Sequence, residues 1–209
     1  MIEYEPPVYR PPGEWRSFLV QATIGCSHNG CTFCGMYKGK KYRVRPMEDI
    51  IGDIREAAAF YNQYEKVFLC DGDAIAMDTE DLLEIIAEIK KDFPHCRLIS
   101  TYAGPKSTLK KTPEELKRLH EAGLGRAYLG IETGMEEILK STNKGVDRAQ
   151  MLEAGLRLRN AGIDLWGIVL IGLGGKELSA ENARETAKII NEMKPNHLSA
   201  MNYTPVEGT

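Results

Sequence analysis

Short apolar runs alternate along the chain with longer stretches whose apolar residues recur every three or four positions. The runs, at residues 15–24, 66–70, 97–101, 126–131, 163–171 and 197–203, read as strands. The intervening stretches read as helices. Residues 46–64 place Ile50, Ile51, Ile54 and Ala58 on one face, with Pro46 in the first turn, where its missing N–H costs nothing. Residues 79–91 carry Leu82, Leu83, Ile85, Ile86 and Ile89 at core-facing spacing. Residues 112–122 open on Thr112-Pro113-Glu114-Glu115 and end at Gly123, a start and stop that capping predicts. Residues 147–161 are stopped by Gly162, and residues 180–193 form the last helix.

Six β-α steps with short, uniformly apolar strands predict a parallel sheet covered by helices. An open doubly wound sheet and a partial barrel both satisfy this pattern. In either, function collects where the strands end. Five segments then fall on one rim: the loop after the first strand, Asp71-Gly72-Asp73 after the second, and Ser100-Thr101-Tyr102 at the third. Glu132-Thr133-Gly134 follows the fourth and Gly172-Leu173-Gly174-Gly175 the fifth.

The loop after the first strand holds Cys26, Cys31 and Cys34, three of the five cysteines in the chain. Thiolates are preferred ligands of iron–sulfur clusters and zinc. Three of them leave one iron of a four-iron cluster without a protein ligand. An odd, clustered set of cysteines does not suit a secreted disulfide framework, and a reducing cytoplasm is the expected location. With 43% hydrophobic and 27% charged residues the 209-residue chain can bury a core, and its net charge of −3 gives no nucleic-acid-binding surface. No apolar stretch reaches the roughly 18 residues that span a bilayer. The basic run 38–45 is a solvated loop or a contact for an anionic cofactor or substrate. Residues 1–14 are proline-rich and read as an extended arm, with a core domain over residues 15–209.

Cys26-x4-Cys31-x2-Cys34, with Phe33 before the last cysteine, resembles the radical S-adenosylmethionine (SAM) superfamily. Gly130-Ile131-Glu132-Thr133-Gly134, Ile171-Gly172-Leu173-Gly174-Gly175-Lys176-Glu177 and Thr204-Pro205-Val206-Glu207-Gly208-Thr209 are similar to segments of its coproporphyrinogen oxidase-like and methylthiotransferase-like subgroup. The spacing departs from the commoner C-x3-C-x2-C by one residue, and Gly174 stands where the subgroup has proline. Relatives usually continue past the sixth strand, so the expected unit is a core without a C-terminal extension.

The resemblance implies a (β/α)6 partial TIM-type barrel with parallel strands. It implies an enzyme in which a [4Fe–4S] cluster on Cys26, Cys31 and Cys34 reductively cleaves SAM, giving a radical that abstracts hydrogen from an unknown substrate, small or macromolecular. An electron donor such as flavodoxin or ferredoxin is the expected partner. Asp71, Gly72 and Asp73 are expected near the methionyl ammonium, with Glu132 and Ser100 on the ribose. Phe33, Ile171 and Gly172 are expected at the adenine, and Lys144, Arg148 and Arg157 compete for the carboxylate. No catalytic residue beyond the cluster ligands is implied. Two other readings stand beside this one: a structural zinc site with His28 as fourth donor, and a non-catalytic iron–sulfur electron carrier using Cys70 or Cys96.

Overall fold

A computed structural model describes residues 2–205; Val206 to Thr209, part of the match at the sixth strand, lie outside the described residues. Six strands form one parallel sheet: β1 (Phe18–Gln21), β4 (Lys66–Cys70), β5 (Leu98–Tyr102), β6 (Leu124–Glu132), β7 (Asp164–Ile171) and β8 (His197–Asn202), in that spatial order. The remaining two, β2 (Thr23–Ile24) and β3 (Arg43–Val44), make a small antiparallel pair that clasps the two ends of the cysteine loop. Among the described residues β1 and β8 do not pair, so the barrel stays open on that side. All six large strands point the same way, which gathers their C-terminal ends on one rim.

The helices are α1 (Met47–Phe60), α2 (Thr79–Asp92), α3 (Pro105–Lys110), α4 (Pro113–Ala122), α5 (Glu136–Ser141), α6 (Arg148–Asn160) and α7 (Ser179–Met193). α1 stops at Phe60, four residues before the expected end, and buries Ala57 in preference to Ala58. α2 buries the expected Leu82, Ile85, Ile86 and Ile89 against the outer strand residues Val67, Leu69 and Ile99. Each such side chain contributes about 1.5–3 kcal/mol when fully removed from water.

α4 closes both ends as its sequence requires. Thr112 Oγ1 accepts from Glu115 N at 3.1 Å, and Glu115 Oε2 accepts from Thr112 N at 2.8 Å. Gly123 follows with φ 131°, a conformation that a side chain would strain. Thr112→Ala is expected to cost about 1 kcal/mol of unfolding free energy, read as a lower urea midpoint at unchanged slope.

The strand face turned away from the helices is aromatic. Phe68, Cys70 and Tyr128 are buried there, with Leu19, Tyr102, Trp166 and Ile168 packed around them. Trp166 stacks on Tyr128 at 5.4 Å and on His197 at 4.6 Å. The proline-rich arm lies across this inner face. Tyr4 Oη donates to Leu19 O at 2.8 Å, Glu5 N donates to Gln21 Oε1 at 2.8 Å, and Val8 packs on the aromatic group. Its end tightens into a 3-10 turn, Pro12–Glu14, where the buried Glu14 Oε1 accepts from Tyr128 Oη at 2.6 Å.

Candidate cofactor site

The cysteine loop is pinned from three directions. Asp71, fully buried at the end of β4, accepts from Gly25 N at 3.0 Å, Lys40 Nζ at 2.8 Å and Gln21 Nε2 at 3.1 Å. Lys40 Nζ also donates to the arm carbonyls of Glu5 and Pro7, so one ammonium ties arm, loop and strand end together. On the far side Thr32 N donates to Thr142 O at 2.9 Å and Asn143 Nδ2 to Gly30 O at 2.9 Å. Gly72 has no side chain because there is no room for one: a Cβ would meet the Tyr37 ring at 2.7 Å and Cys26 Cβ at 3.0 Å.

Cys26, Cys31 and Cys34 are free thiols, each half-buried. Burial pushes the Cys26 and Cys31 thiols up from their ordinary value; the Lys144 ammonium pulls Cys31 the other way. Among the described residues no three His, Cys, Asp or Glu side chains converge as a single bound ion requires. An iron–sulfur cube asks for something different, since each thiolate binds its own iron. His28 Nε2 lies 2.7 Å from Asn143 O, which holds the ring against the segment after α5. Cys70 is fully buried with its thiol directed at Val20 O, 3.6 Å away, and Cys96 is directed at Leu98 O at the opposite end of the sheet.

The two aspartates after β4 differ sharply. Asp71 already has its cation in Lys40, and its oxygens accept from the chain's own donors, which hold the loop to the strand end. Asp73, 1% exposed, has only neutral donors in contact: Gly104 N at 2.7 Å, Ser107 Oγ at 2.6 Å and Ser27 Oγ. Among the described residues no cation forms an ion pair with it. Burial raises its carboxyl above the usual carboxylate range against the pull of those hydrogen bonds. Ser27 lies between Cys26 and Cys31, which places this unpaired carboxylate beside the cysteine loop.

Glu132 ends β6 with φ 62°, a left-handed conformation costing a non-glycine residue about 1–3 kcal/mol. A register shift between Gly130 and Glu132 accompanies it and folds the carboxylate back over Gly130, where a Cβ would meet Glu132 Oε1 at 2.2 Å. Lys144 Nζ donates to Glu132 Oε1 at 2.8 Å and sits 5.7 Å from the Phe33 ring centroid. Burial works against the Lys144 charge, but Glu132 and the Cys31 and Cys26 thiols outweigh it and raise the ammonium's pKa. Of the three basic residues that sequence left in competition, only Lys144 faces the cysteine loop. Arg148 pairs with Glu192, and Arg157 with Glu153, in the helical layer.

Two further expectations resolve differently. Ser100 is the third of five residues in β5, fully buried, its hydroxyl 3.5 Å from Val67 O; the strand runs on to Tyr102, so Ser100 never reaches the rim. Ile171 and Gly172 do lie at the rim. Ile171 is 57% exposed and Gly172, with φ 92°, has open space beside it. Tyr37, three residues past Cys34, packs its ring edge against Gly72 and buries a hydroxyl that has no hydrogen-bond partner among the described residues.

A family model described as the radical SAM superfamily matches residues 20–190. The chain belongs to the radical SAM superfamily. It is 30% identical over 212 residues to 4'-phospho-dehydrooxetanocin synthase of Priestia megaterium, covering 90% of this chain and 28% of that protein. It is 26% identical over 200 residues to tRNA-2-methylthio-N(6)-dimethylallyladenosine synthase of Bacillus subtilis, covering 91% and 38%. The radical SAM chain described here thus spans between a quarter and two fifths of these relatives. Coproporphyrinogen III oxidase from Escherichia coli, a solved radical SAM structure, superposes with a TM-score of 0.67 at 19% identity over 90% of this chain and 44% of that one. The likeness bears out the partial-barrel fold.

Proposed function

We propose that this chain holds a [4Fe–4S] cluster on Cys26, Cys31 and Cys34 and binds SAM beside it, initiating a radical reaction at the C-terminal rim of the strands. The cofactors, when bound, supply one-electron cleavage of the sulfonium and a carbon radical that takes hydrogen from substrate; the protein binds, orients and excludes water. Asp73 receives the methionyl ammonium, since a buried carboxylate with hydrogen bonds but no cation fits that group. Lys144 receives the carboxylate, and Glu132, freed from Lys144, accepts from the ribose hydroxyls. Phe33, Ile171 and Gly172 border the adenine, and Gly72 lets the loop close behind Cys26.

The observation that carries this reading is the unpaired Asp73 carboxylate next to the three-thiol loop. The two relatives named above act on different molecules by their names, so the substrate stays open. The test is anaerobic reconstitution with iron and sulfide, followed by EPR of the reduced protein. SAM should change the spectrum, and dithionite should yield 5'-deoxyadenosine. A cluster spectrum indifferent to SAM overturns the proposal.

A further inference from the structure

The upper part of the arm touches the rest of the molecule through few groups, and most of them follow the cysteines directly in sequence. Glu3 to Pro7, Tyr9 and Arg10 are exposed, with Val8 half-buried between them. Lys40 Nζ donates to the carbonyls of Glu5 and Pro7, and Arg43 pairs with the Glu5 carboxylate at the surface. Tyr9 meets the Tyr37 ring edge-on at 5.5 Å between centroids. The other anchors come from β1: Gln21, which accepts from Glu5 N and donates to Glu5 O, and Leu19 O, which accepts from Tyr4 Oη.

Two of these anchors also hold the interior of the cysteine loop. Asn29, between Cys26 and Cys31, donates from Nδ2 to Tyr37 O at 2.8 Å and to Lys40 O at 3.2 Å. Lys40 N donates to Tyr37 O at 2.9 Å, so the two anchors are themselves joined. Asn29 takes φ 39°, a left-handed conformation that its short amide side chain tolerates. The Tyr37 ring also closes on the first cysteine, since a Cβ on Gly72 would meet both that ring and Cys26 Cβ. The position of the arm therefore presupposes the shape of the loop. In return the arm gives little: the buried Tyr37 hydroxyl receives no hydrogen bond from it, a loss that water repairs when the arm lifts. Sparse burial of this kind marks a segment that opens well before the domain unfolds.

We propose that residues 4–9 are a strap that opens and closes over the inner face, and that its closed position and the ordered conformation of the cysteine loop stabilise each other through Asn29, Tyr37 and Lys40. Ligation of Cys26, Cys31 and Cys34 fixes the loop and so closes the strap; an open strap loosens the loop. Closed, the strap keeps water from the inner side of the loop. The inference rests on the cluster reading above for what fixes the loop, and the coupling acts equally in both directions.

The test uses the full chain under exclusion of air. Thermolysin cleavage before Val8, followed by mass spectrometry, should be about tenfold slower in the iron-loaded protein than in the metal-free protein. Asn29→Gly keeps the left-handed backbone but removes the bonds to Tyr37 O and Lys40 O, and it should lose most of that response. Lys40→Met should lose it too but also breaks the ion pair with Asp71, so Tyr9→Ala, which leaves that pair intact, supplies the converse measurement. In the metal-free chain Tyr9→Ala should speed iodoacetamide alkylation of Cys26, Cys31 and Cys34 severalfold, with Cys96, at the far end of the sheet, unchanged. Equal cleavage before and after loading, a full response in Asn29→Gly, or alkylation of the three cysteines unaltered in Tyr9→Ala overturns the strap. If the wild-type chain takes up no iron, the proposed function fails, and the alkylation rates of the metal-free proteins still decide the coupling.

Discussion

Replacing Cys31 by alanine is expected to remove the four-iron EPR signal and drop SAM cleavage to background. A cube held by three protein thiolates has no spare ligand, and the chain's other two cysteines cannot reach it: Cys70 is sealed in the inner aromatic layer and Cys96 lies near the start of β5, at the other end of the sheet. The same outcome is expected for Cys26→Ala and Cys34→Ala. Cys70→Ala is the informative contrast. It removes a buried sulfur packed beside Phe68 and Tyr128, so it should cost about 1 kcal/mol of stability while leaving iron content and the spectrum intact. An electron carrier with four cysteine ligands predicts the reverse, loss of the cluster in Cys70→Ala. Because burial holds the Cys26 and Cys31 thiols in their protonated form, cluster assembly releases protons, and loading should weaken as the reconstitution buffer is made more acidic.

The sheet and the long helices were legible because their burial has a period. Leu82, Ile85, Ile86 and Ile89 can face only one layer, and Thr112 with Gly123 marks both ends of α4. Short elements escaped. α3 and α5 are six residues each, too brief for a period to emerge, and Pro105-Lys106-Ser107-Thr108 carries little apolar signal. Their helicity comes from docking, α3 onto α6 and the turn at Ala74–Ala76. The arm was read as extended, yet nothing in its proline content announced that Lys40 and Tyr128 would fasten it across the barrel. Within the candidate site, spacing named the loops but not how each side chain in them is held. Ser100 and Tyr102 differ by two residues along one strand, and only the strand's actual length decides which meets the rim. Lys144, Arg148 and Arg157 are equivalent as charges until packing turns one toward Phe33 and two toward exposed glutamates.

The sharpest division is between Asp71 and Asp73, identical side chains separated by one glycine. Asp71→Asn breaks a buried ion pair and strands the Lys40 ammonium between two arm carbonyls, a class of change that costs about 3–5 kcal/mol. Thermal unfolding should show that loss with or without SAM, together with faster proteolysis of the arm. Asp73→Asn should behave in the opposite manner. Burial raises the Asp73 carboxyl in the folded state, so the folded protein holds this proton more tightly than the unfolded chain does. The charge therefore costs stability at neutral pH, and the cost fades as pH falls through the raised value. An asparagine keeps acceptor and shape without the charge, so Asp73→Asn should unfold at the same temperature as wild type or higher. What it should lose is the ammonium partner, and SAM affinity, measured by titration calorimetry on the reconstituted protein, should drop by about 10–100-fold, the 1.4 kcal/mol per decade equivalent of one charge-assisted hydrogen bond. A stable variant that no longer binds SAM and an unstable one that still does would separate anchoring from recognition; equal SAM affinity in Asp73→Asn and wild type would remove Asp73 from the site and with it the reason for placing the methionyl group beside Ser27.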